Sequence, residues 1–368
     1  MIAEVAAALA GDLDRLRAHP YDPRAPFWQT ADEQHVDLLL LDFARTLGAD
    51  DAWSDDARAR ARAFVVDASV LRTLRDRELR RVLDRLGAAG VPCLLLKGAG
   101  LAYTRYRQPH TRRRGDADLL IRAADADRVT ALLEADGYAR AAEISGGYAT
   151  SQMHFDRPDH PDQRYALDLH WRIVNAHAFA DAIPFDEFEA SRVAVTGLGA
   201  LAWTLGTPHA LALACIHCVA HHPNSDDLLW LWDVHLLASS MSPSESDVFV
   251  ELASRSLARA VCAHTLAAAA ARFHTPAAAP LIERVRVRPG DAEEPSARFL
   301  VGGLSQADIL RSDLASLGWR RGAALMREHL FPPASYMRAV YDQWPAALLP
   351  AAYLHRIVCG APKWLRRP

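Results

Sequence analysis

The chain has 368 residues, 51% of them hydrophobic and 24% charged, and its 42 Lys and Arg nearly balance 45 Asp and Glu for a formal net charge of −3. That length accommodates two or three domains and a sizeable core, and the composition excludes a disordered, collagenous or disulfide-scaffold protein. A mean hydropathy of −0.06, with no apolar run long enough to span a bilayer, argues against a multi-span membrane protein, and the near-neutral charge gives no overall reason to expect nucleic acid or an anionic membrane as partner.

In chain order, residues 1–88 read as helices. The opening MIAEVAAALAGDLDRL carries acids in its first turns and no basic stretch, so no export signal is expected and the cytoplasm is the expected compartment. A helix over Met1–Ala18 gives way to a stretch broken by Pro20, Pro23 and Pro26, and a second helix follows over about Asp32–Leu47. A long helix is expected over Asp55–Gly87, with Ala63, Val66, Leu71, Leu74, Leu79 and Leu83 at mixed three- and four-residue spacing. The pattern then changes. Val91–Leu96 is a short apolar run suited to a buried strand, and Lys97–Tyr103 turns into a short helix. Gly115–Ile121 reads as a second strand, Ala124–Asp136 as a helix stopped by Gly137, and Tyr148–Asp156 and Arg164–Ile173 as further strands. Helices are expected again at 207–222, 226–240 and 245–271, with loops at Thr275–Pro280 and Arg288–Pro295 and structural helices at Leu304–Leu317 and within Met326–Tyr341.

The five cysteines are an odd count with no disulfide pattern. Cys215-Ile-His-Cys218 lies in an apolar helical stretch without a second Cys-x-x-Cys, so buried thiols are expected there rather than zinc. His217 and His221 stand one helical turn apart, with His222 beside them. They could bind a metal, meet a substrate or satisfy one another between helices.

The chemistry concentrates in Gly115-Asp116-Ala-Asp118-Leu-Leu-Ile121. On a strand, Asp116 and Asp118 project to one side while Ala117, Leu119 and Ile121 face the other. Two carboxylates side by side repel each other unless a cation joins them, and a hard divalent ion wants such oxygens. The strand Tyr165-Ala-Leu-Asp168-Leu-His170-Trp-Arg172 repeats the pattern, with Asp168, His170 and Arg172 on one face. If the two strands are neighbours, three carboxylates converge, the minimal ligand set for two-metal phosphoryl transfer. Asp-x-Asp alone is common on solvated strands. What distinguishes this chain is the order: apolar strand, glycine turn with a lysine, Asp-x-Asp strand, then a later strand with one more Asp.

That order resembles the nucleotidyltransferase superfamily with a DNA polymerase β-like palm, and more closely the family of uncharacterised nucleotidyltransferases. The resemblance rests on Leu94–Ala102 with Lys97-Gly98, on Tyr106…Pro109…Arg112 leading to Asp116-x-Asp118, and on Leu167-Asp168-Leu-His170-Trp171. The His217…Asp233 and Leu330–Tyr336 segments add to it. It implies an α+β fold: a small mixed-sheet palm at 89–200 between an N-terminal helical region, 1–88, and a C-terminal helical domain, 201–368. It further implies Mg²⁺ (or Mn²⁺) held by Asp116, Asp118 and Asp168, and an NTP donor. Asp168 would also help deprotonate an acceptor hydroxyl. Lys97, Gly98, Gly100, Arg112 and Arg114 would contact the nucleotide, and His170 would orient Asp168 or the acceptor. The chain departs from the superfamily at the first turn, where Lys97-Gly98-Ala99-Gly100 replaces the usual Gly-Ser. Glycine still permits close approach to a triphosphate. No basic groove for a nucleic-acid template is present. Two other readings stand beside transfer to an unidentified small-molecule, sugar, peptide or protein acceptor: a catalytically idle scaffold that kept the palm, and an Asp-x-Asp glycosyltransferase.

Overall fold

In the computed structural model, residues 1–144, 147–162, 165–221, 227–287, 294–300 and 305–364 are described. Among the described residues seven strands form one mixed sheet: β1 (Leu94–Leu95), β2 (Asp116–Leu120), β3 (Ala139–Arg140), β4 (Gln152–Asp156), β5 (Ala166–His170), β6 (Val193–Ala194) and β7 (Trp203–Thr204). Their order is β3-β4-β5-β2-β1-β7-β6. β2 runs parallel to β5 and β1 parallel to β7, and the other pairs are antiparallel. The fold is therefore α+β, a mixed sheet with helices flanking both ends.

The sheet's two faces differ because its strands alternate. Ala117, Leu119, Ile121, Leu167 and Leu169 pack with Phe155 into a core that includes Leu79, Val82, Leu83 and Leu86 of the long helix. Leu94, Leu96 and Leu120 turn to the opposite face and join a larger core built from both the N-terminal and the C-terminal helices. The acids of β2 and β5 stand on that second side.

Several local differences from the sequence reading have clear causes. The first helix divides at Gly11 (φ 103) into Ile2–Leu9 and Leu13–Ala18, a backbone conformation only glycine takes at no cost. Pro26 starts a helix, Pro26–Glu33, where its missing N–H is harmless, and Asp37–Thr46 follows separately. The long helix runs Asp55–Ala88, opened by the Ser54 hydroxyl, which accepts from the Ala57 amide at 3.2 Å. The 245–271 stretch is two helices, Pro243–Arg255 and Arg259–Phe273, parted at Leu257 (φ 52). A helix, Ala278–Val285, begins inside the expected Thr275–Pro280 loop, and most of Arg288–Pro295 lies outside the described residues. Helix Gln306–Leu330 kinks at Gly318. The two-residue strands β3, β6 and β7 are too short to leave a periodic signal.

Candidate active site

β1 ends where Lys97 takes φ 43 and the chain turns into helix Lys97–Thr104. The two glycines of this turn are filled spaces. A methyl on Gly100 would come within 2.1 Å of the Thr204 hydroxyl on β7, and one on Gly98 within 3.3 Å of the Arg112 guanidinium. The helix thus packs directly onto β7 and onto the segment entering β2.

β2 and β5 are neighbours in register, with Asp118 directly opposite Asp168 and Leu120 opposite His170. Asp118, Asp168 and His170 each offer a ligand atom within 4.8 Å of the others, and among the described residues they form the one such grouping. The His170 imidazole meets Asp118 at 3.0 Å (Nε2 to Oδ1), and the Lys97 ammonium donates to the same oxygen at 3.1 Å. Burial alone would raise the Asp118 carboxyl, but the Lys97 charge and the His170 hydrogen bond outweigh it and hold the group well below the usual carboxylate range. Asp116 goes the other way. Burial raises it, the charges on Asp118 and Asp168 raise it further, and Lys97 offsets only part of this. Asp116, on the same strand face, is thus an acid whose negative charge is not fully compensated, but it lies outside the Asp118–Asp168–His170 grouping, which offers two carboxylates and one imidazole. That set fits a hard divalent cation such as Mg²⁺ or Mn²⁺.

β4 contributes a residue that sequence reasoning missed. His154 lies opposite Asp168 and bonds to it at 2.6 Å through Nδ1, while Nε2 reaches Asp156 at 3.2 Å. The bond to Asp168 outweighs burial and pushes the imidazole up to about 9. Its signal was the alternation Gln152, His154, Asp156 on one strand face, legible only once β4 was known to pair with β5. His170, by contrast, meets Asp118 and not Asp168.

The expected basic contacts are brought near but are engaged. Arg112 pairs with Asp233 of helix Leu228–Ser240 at 2.6 Å, and the Tyr106 hydroxyl donates to the same carboxylate at 2.6 Å. Burial opposes the Arg112 charge, yet Asp233 more than restores it. Arg114 donates to Asp76 of the long helix at 2.6 Å, where Arg72 (2.8 Å) and Tyr103 (2.6 Å) also converge. Burial, reinforced by the neighbouring Arg72 charge, lowers the Arg114 guanidinium to about 10. Arg113 reaches Asp32 and Asp37.

Beside Lys97 and Arg112 opens a narrow cleft lined also by Thr204, His217, Trp230 and Asp233, with a cavity volume of about 30 Å³, enough for a few waters. His217 stands edge-on to Trp230, ring centroids 5.1 Å apart. His221 ends the π-turn that follows helix Thr207–Ile216, its side chain outside the described residues, as is all of His222. Cys215 and Cys218 are buried, and burial pushes the Cys218 thiol up to about 12.

A mixed sheet carrying paired acidic strands, a lysine-glycine turn and an Asp-Asp-His cluster that could hold a metal ion agrees with a nucleotidyltransferase domain. The chain belongs to the family described as uncharacterised nucleotidyltransferase, whose model matches residues 24–274, just over two thirds of its length. No curated protein matches it. Family membership marks the chain as a transferase-type protein, and the buried Asp118–Asp168–His170 cluster is compatible with metal binding.

Proposed function

We propose that the chain transfers a nucleoside monophosphate from an NTP to an acceptor hydroxyl, releasing pyrophosphate. The observation that carries this reading is the register of β2 against β5, which sets Asp118 across from Asp168 with Asp116 on the same face. Asp118 and Asp168, with Asp116 beside them, would hold Mg²⁺ or Mn²⁺, and His170 would add a nitrogen ligand or fix the Asp118 carboxylate. A divalent ion there would neutralise phosphate charge and acidify an attacking hydroxyl. Lys97, already on Asp118, supplies positive charge at the rim of the cluster. His154 holds Asp168 in place. Gly98 and Gly100 let helix Lys97–Thr104 approach β7 and the Arg112–Arg114 segment, which puts the helix N-terminus beside the acids. Arg112 and Arg114 act from behind, bracing that segment against Asp233 and Asp76. The acceptor is a hydroxyl of a small molecule, sugar, peptide or protein.

One observation favours the second reading, an idle nucleotide-binding scaffold: Lys97, Arg112 and Arg114 all engage protein carboxylates. Incubation with each α-labelled NTP, Mg²⁺ and cell extract separates the two. Transfer predicts label on an acceptor together with pyrophosphate release, both reduced by on the order of 10²–10³-fold in Asp118→Asn, the cost of removing one charge-organising group. Mg²⁺-dependent NTP binding without pyrophosphate release would establish the scaffold instead.

A further inference from the structure

The whole-chain charge of −3 averages two unlike parts. From residue 319 to 368 the chain carries eight Lys and Arg against two acids, Glu328 and Asp342, a net +6 that leaves −9 for residues 1–318. One of the two acids is engaged, because the Glu328 carboxylate accepts from the amides of Gly147, Tyr148 and Ala149 at 2.7–2.9 Å and ties this segment to the loop before β4.

The same segment carries its apolar side chains outward. On helix Leu349–Trp364, Leu354 and Val358 stand one turn apart and are 64% and 62% exposed, with Ala351, His355 and Cys359 on the same face. The inner face holds Leu349, Ala352, Tyr353, Arg356 and Ile357, so the helix is largely apolar on both sides, and the Arg356 guanidinium donates to the His329 carbonyl at 2.6 Å. A surface helix of a globular protein keeps its outer face polar. Trp344 extends the outward face, its ring 5.5 Å from that of His355, and exposed Phe331 lies 6.1 Å from Tyr353. Exposed Arg320, Arg321 and Arg338 belong to the same segment, and Arg320 sits 5.2 Å from the ring of Trp319, itself 79% exposed. Exposed aliphatic and tryptophan side chains in a segment that also carries exposed arginines suit contact with a lipid interface. Among the described residues no helix is long and apolar enough to cross a membrane, so the contact would be with a surface. A second copy pairing the same face symmetrically is a poor occupant, because it would bring two segments of net +6 together.

We propose that the helices between Trp319 and Trp364 dock on an anionic lipid surface, with Trp344, Leu354 and Val358 entering the headgroup boundary and the exposed arginines meeting the headgroups. The proposal is independent of the transfer chemistry. Full-length protein sedimented with vesicles of phosphatidylcholine, alone or mixed with phosphatidylglycerol, is expected to pellet with the mixed vesicles only, and less so as salt rises. Leu354→Glu with Val358→Glu changes two exposed side chains, so circular dichroism should be unaltered while partitioning falls at least about tenfold. Arg320→Glu with Arg321→Glu, which leaves the apolar face intact, should weaken partitioning roughly tenfold or more at low salt. Failure to pellet with the mixed vesicles, or variants that pellet like the parent, would overturn the proposal. So would a dimer in sedimentation equilibrium that the Leu354→Glu, Val358→Glu variant dissolves.

Discussion

Asp116 and Asp118 differ by two positions on one strand, yet their surroundings push their carboxyls in opposite directions. Asp118 is satisfied by Lys97 and His170. Asp116 is left to face the charges of Asp118 and Asp168 with only partial relief. In the absence of divalent ions, Asp116 at neutral pH therefore opposes folding, and Asp116→Asn should stabilise the protein. The expected gain in chemical denaturation with a chelator present is roughly 0.5–1 kcal/mol, the scale of like-charge repulsion across neighbouring strands. Added Mg²⁺ should stabilise the parent protein but not the variant to the same degree. A variant less stable than the parent in chelator would show that Asp116 is satisfied by its neighbours and that the cation site is misread. Of the residues around these acids, the ones legible in the sequence were those within a motif. His154 lies outside any motif and becomes visible only through pairing, whereas Asp233 sits in a segment that carries the resemblance but its tie to Arg112 is set by packing.

At the scale of elements, the long helix Asp55–Ala88 is the backing on which the sheet is mounted. Its Glu78 accepts hydrogen bonds from the Tyr138 hydroxyl at 2.6 Å, from Arg157 at 2.8 Å and from Arg81 at 2.9 Å, joining the helix to the segments that flank β3 and β4. Burial raises the Glu78 carboxyl, but these partners outweigh it and hold the group below its ordinary value. An acid with a depressed native pKa contributes stability that is complete above its unfolded value and is lost as pH falls through its native value. Glu78→Gln should therefore cost about 2 kcal/mol at neutral pH, the scale of hydrogen bonds to a charged group. The gap from the parent should close as the pH is lowered below the ordinary carboxylate range. Denaturant midpoints across a pH series check this, and a gap that is independent of pH would show that packing, not charge, holds Glu78. Neither Tyr138 nor Arg157 was foreseen as its partner, because nothing local in a helix indicates which strand edge it will meet.

At the scale of the whole molecule, the N-terminal and C-terminal helices share one apolar core, and helix Ile2–Leu9 touches helix Arg259–Phe273 across more than two hundred residues of sequence. The buried Arg112–Asp233–Tyr106 cluster fastens this helical body to the segment entering β2. Asp233→Ala would strand the Arg112 charge in a dry site and should destabilise the protein by about 3–5 kcal/mol, while the double replacement Arg112→Met with Asp233→Leu should recover most of the loss. Thermal unfolding of the three proteins tests this. A single variant as stable as the parent would show that water reaches Arg112.

The order of the motifs carried the resemblance that implies the α+β class and the family, and strand alternation by itself sets Asp116 with Asp118, and Asp168 with His170, on common faces. It also located the long helix, whose caps are local. Tertiary structure decided which strands adjoin. Only the β2–β5 pairing brings Asp168 opposite Asp118, and only the β4–β5 pairing adds His154. Pairing between distant strands depends on how the whole sheet is covered, and no residue window records it. The same is true of the charges: a sequence shows that Lys97, Arg112 and Arg114 are basic, but their carboxylate partners are set by packing between elements that lie up to 121 positions apart.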